Sequence, residues 1–75
     1  MKITISGINW DITEFNRNRI MKTTVEELQL PTEDTFVVDG TSDEYTQLDV
    51  ECFIEDYLSD VYGFPFSAYN YRVDD

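Results

Sequence analysis

Hydrophobic and polar positions alternate in three stretches of this chain and recur at helical spacing in a fourth. Ile3 and Ile5 alternate with Lys2, Thr4 and Ser6, the two-residue period of a strand. Ile8, Trp10 and Ile12 continue the alternation with opposite parity. The switch falls at Gly7, where a bulge or turn is sterically easy. This predicts a first strand over 2–6 with an extended continuation to Ile12. Thr35-Phe36-Val37-Val38-Asp39 is β-rich and runs into Gly40, predicting a second strand. A third is predicted at about 66–73, with Tyr69, Tyr71 and Val73 on one face.

The helical stretch is the clearest. Val50, Phe53, Ile54, Tyr57, Leu58 and Val61 fall at i, i+3, i+4, i+7, i+8 and i+11, one apolar stripe of an amphipathic helix. Thr46 with Asp49 supplies an N-cap signal, Gly63 suits the position after the last turn, and Pro65 prevents continuation. The helix is therefore placed at 47–62. Residues 13–30 are the least patterned. Thr23 with Glu26 forms a capping-box signature and predicts a short helix at 24–29, which Leu30-Pro31 should end.

The order is then β, irregular or short α, β, α, β. A helix between strands two and three carries the chain to the far side of the sheet, so strand one sits between them. The expected architecture is α+β: a three-stranded antiparallel sheet in order 2-1-3, with one amphipathic helix packed on one face and a possible short extra helix at 24–29. Residues 1–75 form a single small acidic domain.

Composition narrows what holds such a domain together. One cysteine, Cys52, and no histidine exclude an intramolecular disulfide and a zinc site of the usual Cys/His type. Stability must come from packing, for which eleven aromatic residues are a large supply. No stretch approaches the roughly 20 apolar residues of a membrane span, and the N-terminus has no apolar run of signal-peptide length. The expected location is the cytoplasm.

Charge changes the picture most. Between Thr23 and Tyr71 stand twelve acids and no Lys or Arg, and the whole chain carries −11. Self-repulsion of this kind destabilises the compact state, while the field attracts positive partners. It opposes direct binding to nucleic acid or anionic lipid. Three of the five bases, Arg17, Arg19 and Lys22, cluster in the unpatterned segment. Rather than a small positive patch, which is the other reading, they are expected to offset the acids within the fold or to contact them in a second subunit.

On the predicted helix, about 100° per residue places Asp49, Asp56 and Asp60 along one edge of the apolar stripe and Glu51 and Glu55 along the other. Cys52 and Ser59 lie between the two rows. No base on the helix pairs with these carboxylates at i+3 or i+4. The five acids are the candidate partner-binding residues, suited to the Lys and Arg of a nucleic-acid-binding groove. The competing reading is a solvated face kept acidic for solubility.

Other chemistry is poorly supported. Asp39, Thr41 and Asp43 sit at alternate positions as in an EF-hand loop, but Glu44 stands where glycine is needed and Val50 where the bidentate glutamate belongs. Cys52 has no histidine to activate it and lies between acidic rows that disfavour thiolate. No catalytic residue, metal or cofactor is implied. The aromatics Phe64, Phe66, Tyr69 and Tyr71 read as core rather than a base-stacking platform, since only Arg72 is nearby.

The pieces Gly7-Ile8-Asn9-Trp10-Asp11-Ile12, Leu30-Pro31-Thr32-Glu33 and Asp56-Tyr57-Leu58-Ser59-Asp60-Val61-Tyr62-Gly63-Phe64 resemble those of short, acidic, uncharacterised proteins of phages and mobile elements. The base-rich stretch 13–22 departs from that pattern and looks like an insertion. In size and charge the chain is similar to anti-CRISPR and antirestriction proteins that mimic DNA. These share no diagnostic motif, so no functional residue is carried over. The resemblance implies an inhibitor that occupies the basic groove of a host nucleic-acid-binding protein. The alternative function is a generic protein interaction or oligomerisation module with a charge-solubilised surface.

Overall fold

A computed structural model describes residues 1–75. Its elements are β1 (Lys2–Trp10), α1 (Thr13–Asn16), β2 (Asp34–Val37), a single 3₁₀ turn (Ser42–Glu44), α2 (Gln47–Tyr62) and β3 (Phe66–Asp74). The strands form one antiparallel sheet in the order β2-β1-β3. The molecule is α+β, as the periodicity predicts.

β1 is longer than the 2–6 expected, because Gly7 bends the strand without ending it. Gly7 adopts φ +59°. Between the pairs Ser6–Asn70 and Asn9–Ala68, β1 spends one residue more than β3. This bulge rotates the following residues by one position, so Ile8 and Trp10 face the same side as Ile3 and Ile5. All four are buried. A second irregularity between Asn9 and Trp10, with the extra residue on β3, brings Trp10 opposite Phe66.

α2 covers that side. Thr46 accepts from the Asp49 N–H at 3.2 Å, and the Asp49 carboxylate accepts from the Thr46 N–H at 3.0 Å, closing a full capping box. At the other end Gly63 takes the left-handed conformation, φ +75°, and its N–H donates to the Leu58 carbonyl. Val50, Ile54 and Leu58 are buried against β1, and Leu30 closes the core between them. Tyr57 stacks on Phe36 of β2 with ring centroids 4.3 Å apart. Phe53, only half-buried, meets Tyr45 edge-on at 5.1 Å.

Two expectations need correction. Val61 is 54% exposed rather than part of the apolar stripe. β2 pairs only with Lys2–Ile5, so the sheet has narrowed to two strands beneath the end of α2, and Tyr62 fills that space instead, edge-on to Trp10 at 5.4 Å. Residues 24–29 form a winding turn rather than a helix. Its bonds mix spacings, with Leu28 N–H to Thr24, Gln29 N–H to Glu26 and Leu30 N–H to Val25 carbonyls. Gln29 sits at φ +58°. The Thr cap does form, one residue late, with Thr24 accepting from the Glu27 N–H. Thr23 is otherwise engaged, and Leu30 must reach the core within a turn and a half. Finally, the unpatterned stretch contains the short α1, whose Thr13 N–H donates to the Asp11 carboxylate at 3.0 Å.

The other face of the sheet carries no second layer. Thr35, Val37, Ala68, Asn70 and Arg72 are exposed there. No helix is long and apolar enough to cross a membrane.

Candidate acidic binding surface

The capping box and the buried Val50, Ile54 and Leu58 fix the rotation of α2, and with it the direction of every carboxylate on its outer side. The two acidic rows differ. The Glu row leans over β3: Glu55 accepts from the Tyr69 hydroxyl at 3.3 Å, and Glu51 is half-buried beside it. Burial, followed by the charges of Glu55 and Glu51, pushes the Tyr69 phenol up to about 12. The Asp row faces water. Asp49 is exposed and ordered by its own cap, while Asp56 and Asp60 are exposed and accept no hydrogen bond from the protein.

No base reaches any of these groups. The structure holds two salt bridges, Arg17 to Glu14 at 3.3 Å and Arg72 to Asp74 at 3.2 Å. Both are exposed, and neither involves an acid between residues 26 and 60. The expectation that Arg17, Arg19 and Lys22 offset these acids within the fold is therefore corrected. Arg19 lies over the Phe15 ring at 4.7 Å, and Lys22 donates to the Asn16 carbonyl. Asn16 explains why. Its side chain donates to the Thr23 carbonyl and accepts from the Thr23 N–H, both at 2.8 Å, pinching off the loop that carries the bases. The loop is tied to itself, away from the acids.

One acid was hidden among the twelve. Asp34, at the start of β2, accepts from the hydroxyls of Tyr57 at 2.8 Å and of Tyr62. Its other oxygen accepts from the Thr35 N–H at 2.8 Å. Burial raises its pKa, but Tyr62, Tyr57 and the Thr35 amide together outweigh burial and hold it below the ordinary value. Burial and then the Asp34 carboxylate push the phenol groups of Tyr57 and Tyr62 upward. The sequence signal was parity: Asp34 alternates with the core-facing Phe36, so it points inward. Asp34 joins β2 to the last turns of α2, a structural task rather than a binding one.

The arrangement presents ordered, unpaired negative charge without a cleft. No group of three or more Asp, Glu or Cys side chains converges to hold a metal ion. Asp39, Thr41 and Asp43 do not form such a cluster; Thr41 instead hydrogen-bonds Asp43 and Glu44. Cys52 is exposed on the outer side of α2, between the rows. Comparison with known proteins finds no matching family model, no matching curated protein and no matching solved structure.

Proposed function

We propose that this domain binds a basic, nucleic-acid-binding protein by presenting a carboxylate surface in place of phosphates. The observation that carries the reading is the complete absence of ion pairs to the twelve acids of residues 26–60. Asp34, Asp49 and Glu44 serve the fold through hydrogen bonds, but no base neutralises the charge of any of the twelve, and the carboxylates of Asp56 and Asp60 accept no hydrogen bond at all. On this reading the helix offers Asp49, Asp56 and Asp60 as the main contact row. Asp56 and Asp60 are one turn apart, about 6 Å along the axis. Glu51 and Glu55 form a secondary row, in which Glu55 already accepts a hydrogen bond from Tyr69. Because α2 is rigid, these groups lose little conformational freedom on docking. An inhibitor of the anti-CRISPR or antirestriction type is the biological form this chemistry would take.

The test has three arms. A protein captured from cell lysate on the immobilised domain should be released by duplex DNA. Its affinity should fall steeply with salt, since charge complementarity dominates. Reversal of Asp56 and Asp60 to Lys should abolish capture while circular dichroism shows an unchanged fold. Capture that ignores both DNA and the double reversal would show the acidic face to be merely solvated.

A further inference from the structure

The loop closed by Asn16 displays what a folded domain normally hides. Ile20 is 101% exposed and Met21 84% exposed, side by side at the loop tip. Arg17, Arg19 and Lys22 flank them, all exposed. The loop is not simply frayed. The Asn16–Thr23 pair of hydrogen bonds holds its base, Arg19 N–H donates to the Asn16 carbonyl, and Phe15 packs edge-on against Phe64 at 5.4 Å. The result is a held arm with an apolar tip and cationic flanks. Such a surface fits a partner with a weakly polar centre and acidic borders.

The outer side of α2 has that pattern. At about 100° per residue, Leu48, Cys52 and Ser59 fall in one sector of roughly 40°. Asp49, Asp56 and Asp60 border it on one side, and Glu51 and Glu55 on the other. Leu48 is 74% exposed at one end of this seam. The arm makes no ion pair with these acids in its own chain. We propose that the arm of one copy docks across the outer face of α2 on a second copy. Ile20 and Met21 sit on the Leu48–Cys52 end of the seam, about one helical turn long, and Arg17, Arg19 and Lys22 meet the two acidic rows beside it. Net repulsion between copies does not forbid this, because charges farther apart than about 8 Å are largely screened at physiological salt. The proposal stands whether or not α2 also mimics nucleic acid; if it does, a basic partner and a second copy compete for one face.

Sedimentation velocity on the full chain over a range of concentrations should show reversible association. Combined Ile20→Asp and Met21→Asp substitution should weaken it by at least about tenfold, as should Leu48→Lys on the accepting face. All these positions are exposed, and circular dichroism should show the fold intact. Met21→Cys adds a positional readout. Mild oxidation should give a cross-linked dimer whose joined peptides carry residues 21 and 52. A monomer at every concentration overturns the proposal. So does association untouched by the arm substitutions, or a cross-link within one chain. Binding of the arm to anionic phosphatidylglycerol vesicles in place of self-association would also overturn it and assign the arm to a lipid surface.

Discussion

The body of the molecule and its arm use the same residue types in opposite ways. In the body, Ile3, Ile5, Ile54 and Leu58 are fully buried and the twelve acids of residues 26–60 make no ion pair. In the arm, Ile20 and Met21 stand outside and the bases are tied locally to Glu14, Phe15 and Asn16. The body is held by a three-stranded ladder and a shared core. The arm is held by local bonds centred on Asn16 and by a single ring contact to the body, Phe15 against Phe64. Hydrophobicity alone therefore does not say where a residue goes. What decides is whether a regular element places it opposite another apolar surface.

Substitutions that break this contrast should rank accordingly. Ile54→Ala and Leu58→Ala empty fully buried sites and should each cost about 2–5 kcal/mol, enough to unfold much of so small a domain in a urea titration. Ile20→Ala and Met21→Ala should change the unfolding free energy from the same titration by less than about 0.5 kcal/mol. Equal effects in the two regions would mean that the arm is part of the core. Phe53→Ala belongs between them at about 1–3 kcal/mol, because its ring is half-buried and not enclosed.

Asp34→Ala should cost about 1–3 kcal/mol, since it strips the acceptor from two tyrosine hydroxyls. The pH dependence follows from the direction of the shift. A carboxyl whose folded pKa lies below its unfolded value, about 3.9, stabilises above that value. That contribution is lost as pH falls through the lower folded pKa. Asp34→Asn should remove this acid-side slope from the melting temperature. At alkaline pH the signs reverse. The raised phenols of Tyr57, Tyr62 and Tyr69 stabilise fully below about 10, and the Tyr69 contribution is lost as pH rises through about 12. Tyr69→Phe should delete a late step from the phenolate absorbance titration.

Gly7→Ala should cost about 1–2 kcal/mol, because an L-residue strains at φ +59°. The added Cβ would also meet Asn70 Nδ2 at 3.0 Å. The smallest effect is that of salt. With only two exposed ion pairs to lose and twelve unpaired acids to screen, moderate salt should raise the melting temperature. A flat or falling value would show that repulsion in the body is already balanced.

Much of the body was legible in the sequence. The period of Val50, Ile54 and Leu58, the Thr46–Asp49 box and Gly63 place α2 within a residue at each end. The parity switch at Gly7 announces the bulge, and the helical crossover orders the strands. What stayed hidden depended on distant partners. Val61 matches the stripe but overhangs the two-stranded end of the sheet. Thr23 and Glu26 match a cap, but Asn16 claims the Thr23 backbone. Asp34 looks like any other acid until β2 turns it inward to meet two tyrosines from α2. On the candidate surface, sequence spacing gave the two rows. It could not show that Tyr69 anchors one of them while Asp56 and Asp60 remain free.

Trp10 gives the body a built-in optical probe. It is the sole indole of the chain, buried where β1, α2 and β3 meet, with its Nε1–H donated to the Pro31 carbonyl at 2.7 Å and its ring flanked by Tyr62 and Phe66. The neighbouring Asp11 N–H is fastened to the Pro65 carbonyl, and Ile12 leads directly into the arm. With excitation at the red edge, where the five tyrosines do not absorb, emission therefore comes from this one indole at the junction between the ordered core and the exposed loop. A shift in its wavelength as a ligand is titrated would show whether contact at the loop tip is felt in the interior, with no label attached.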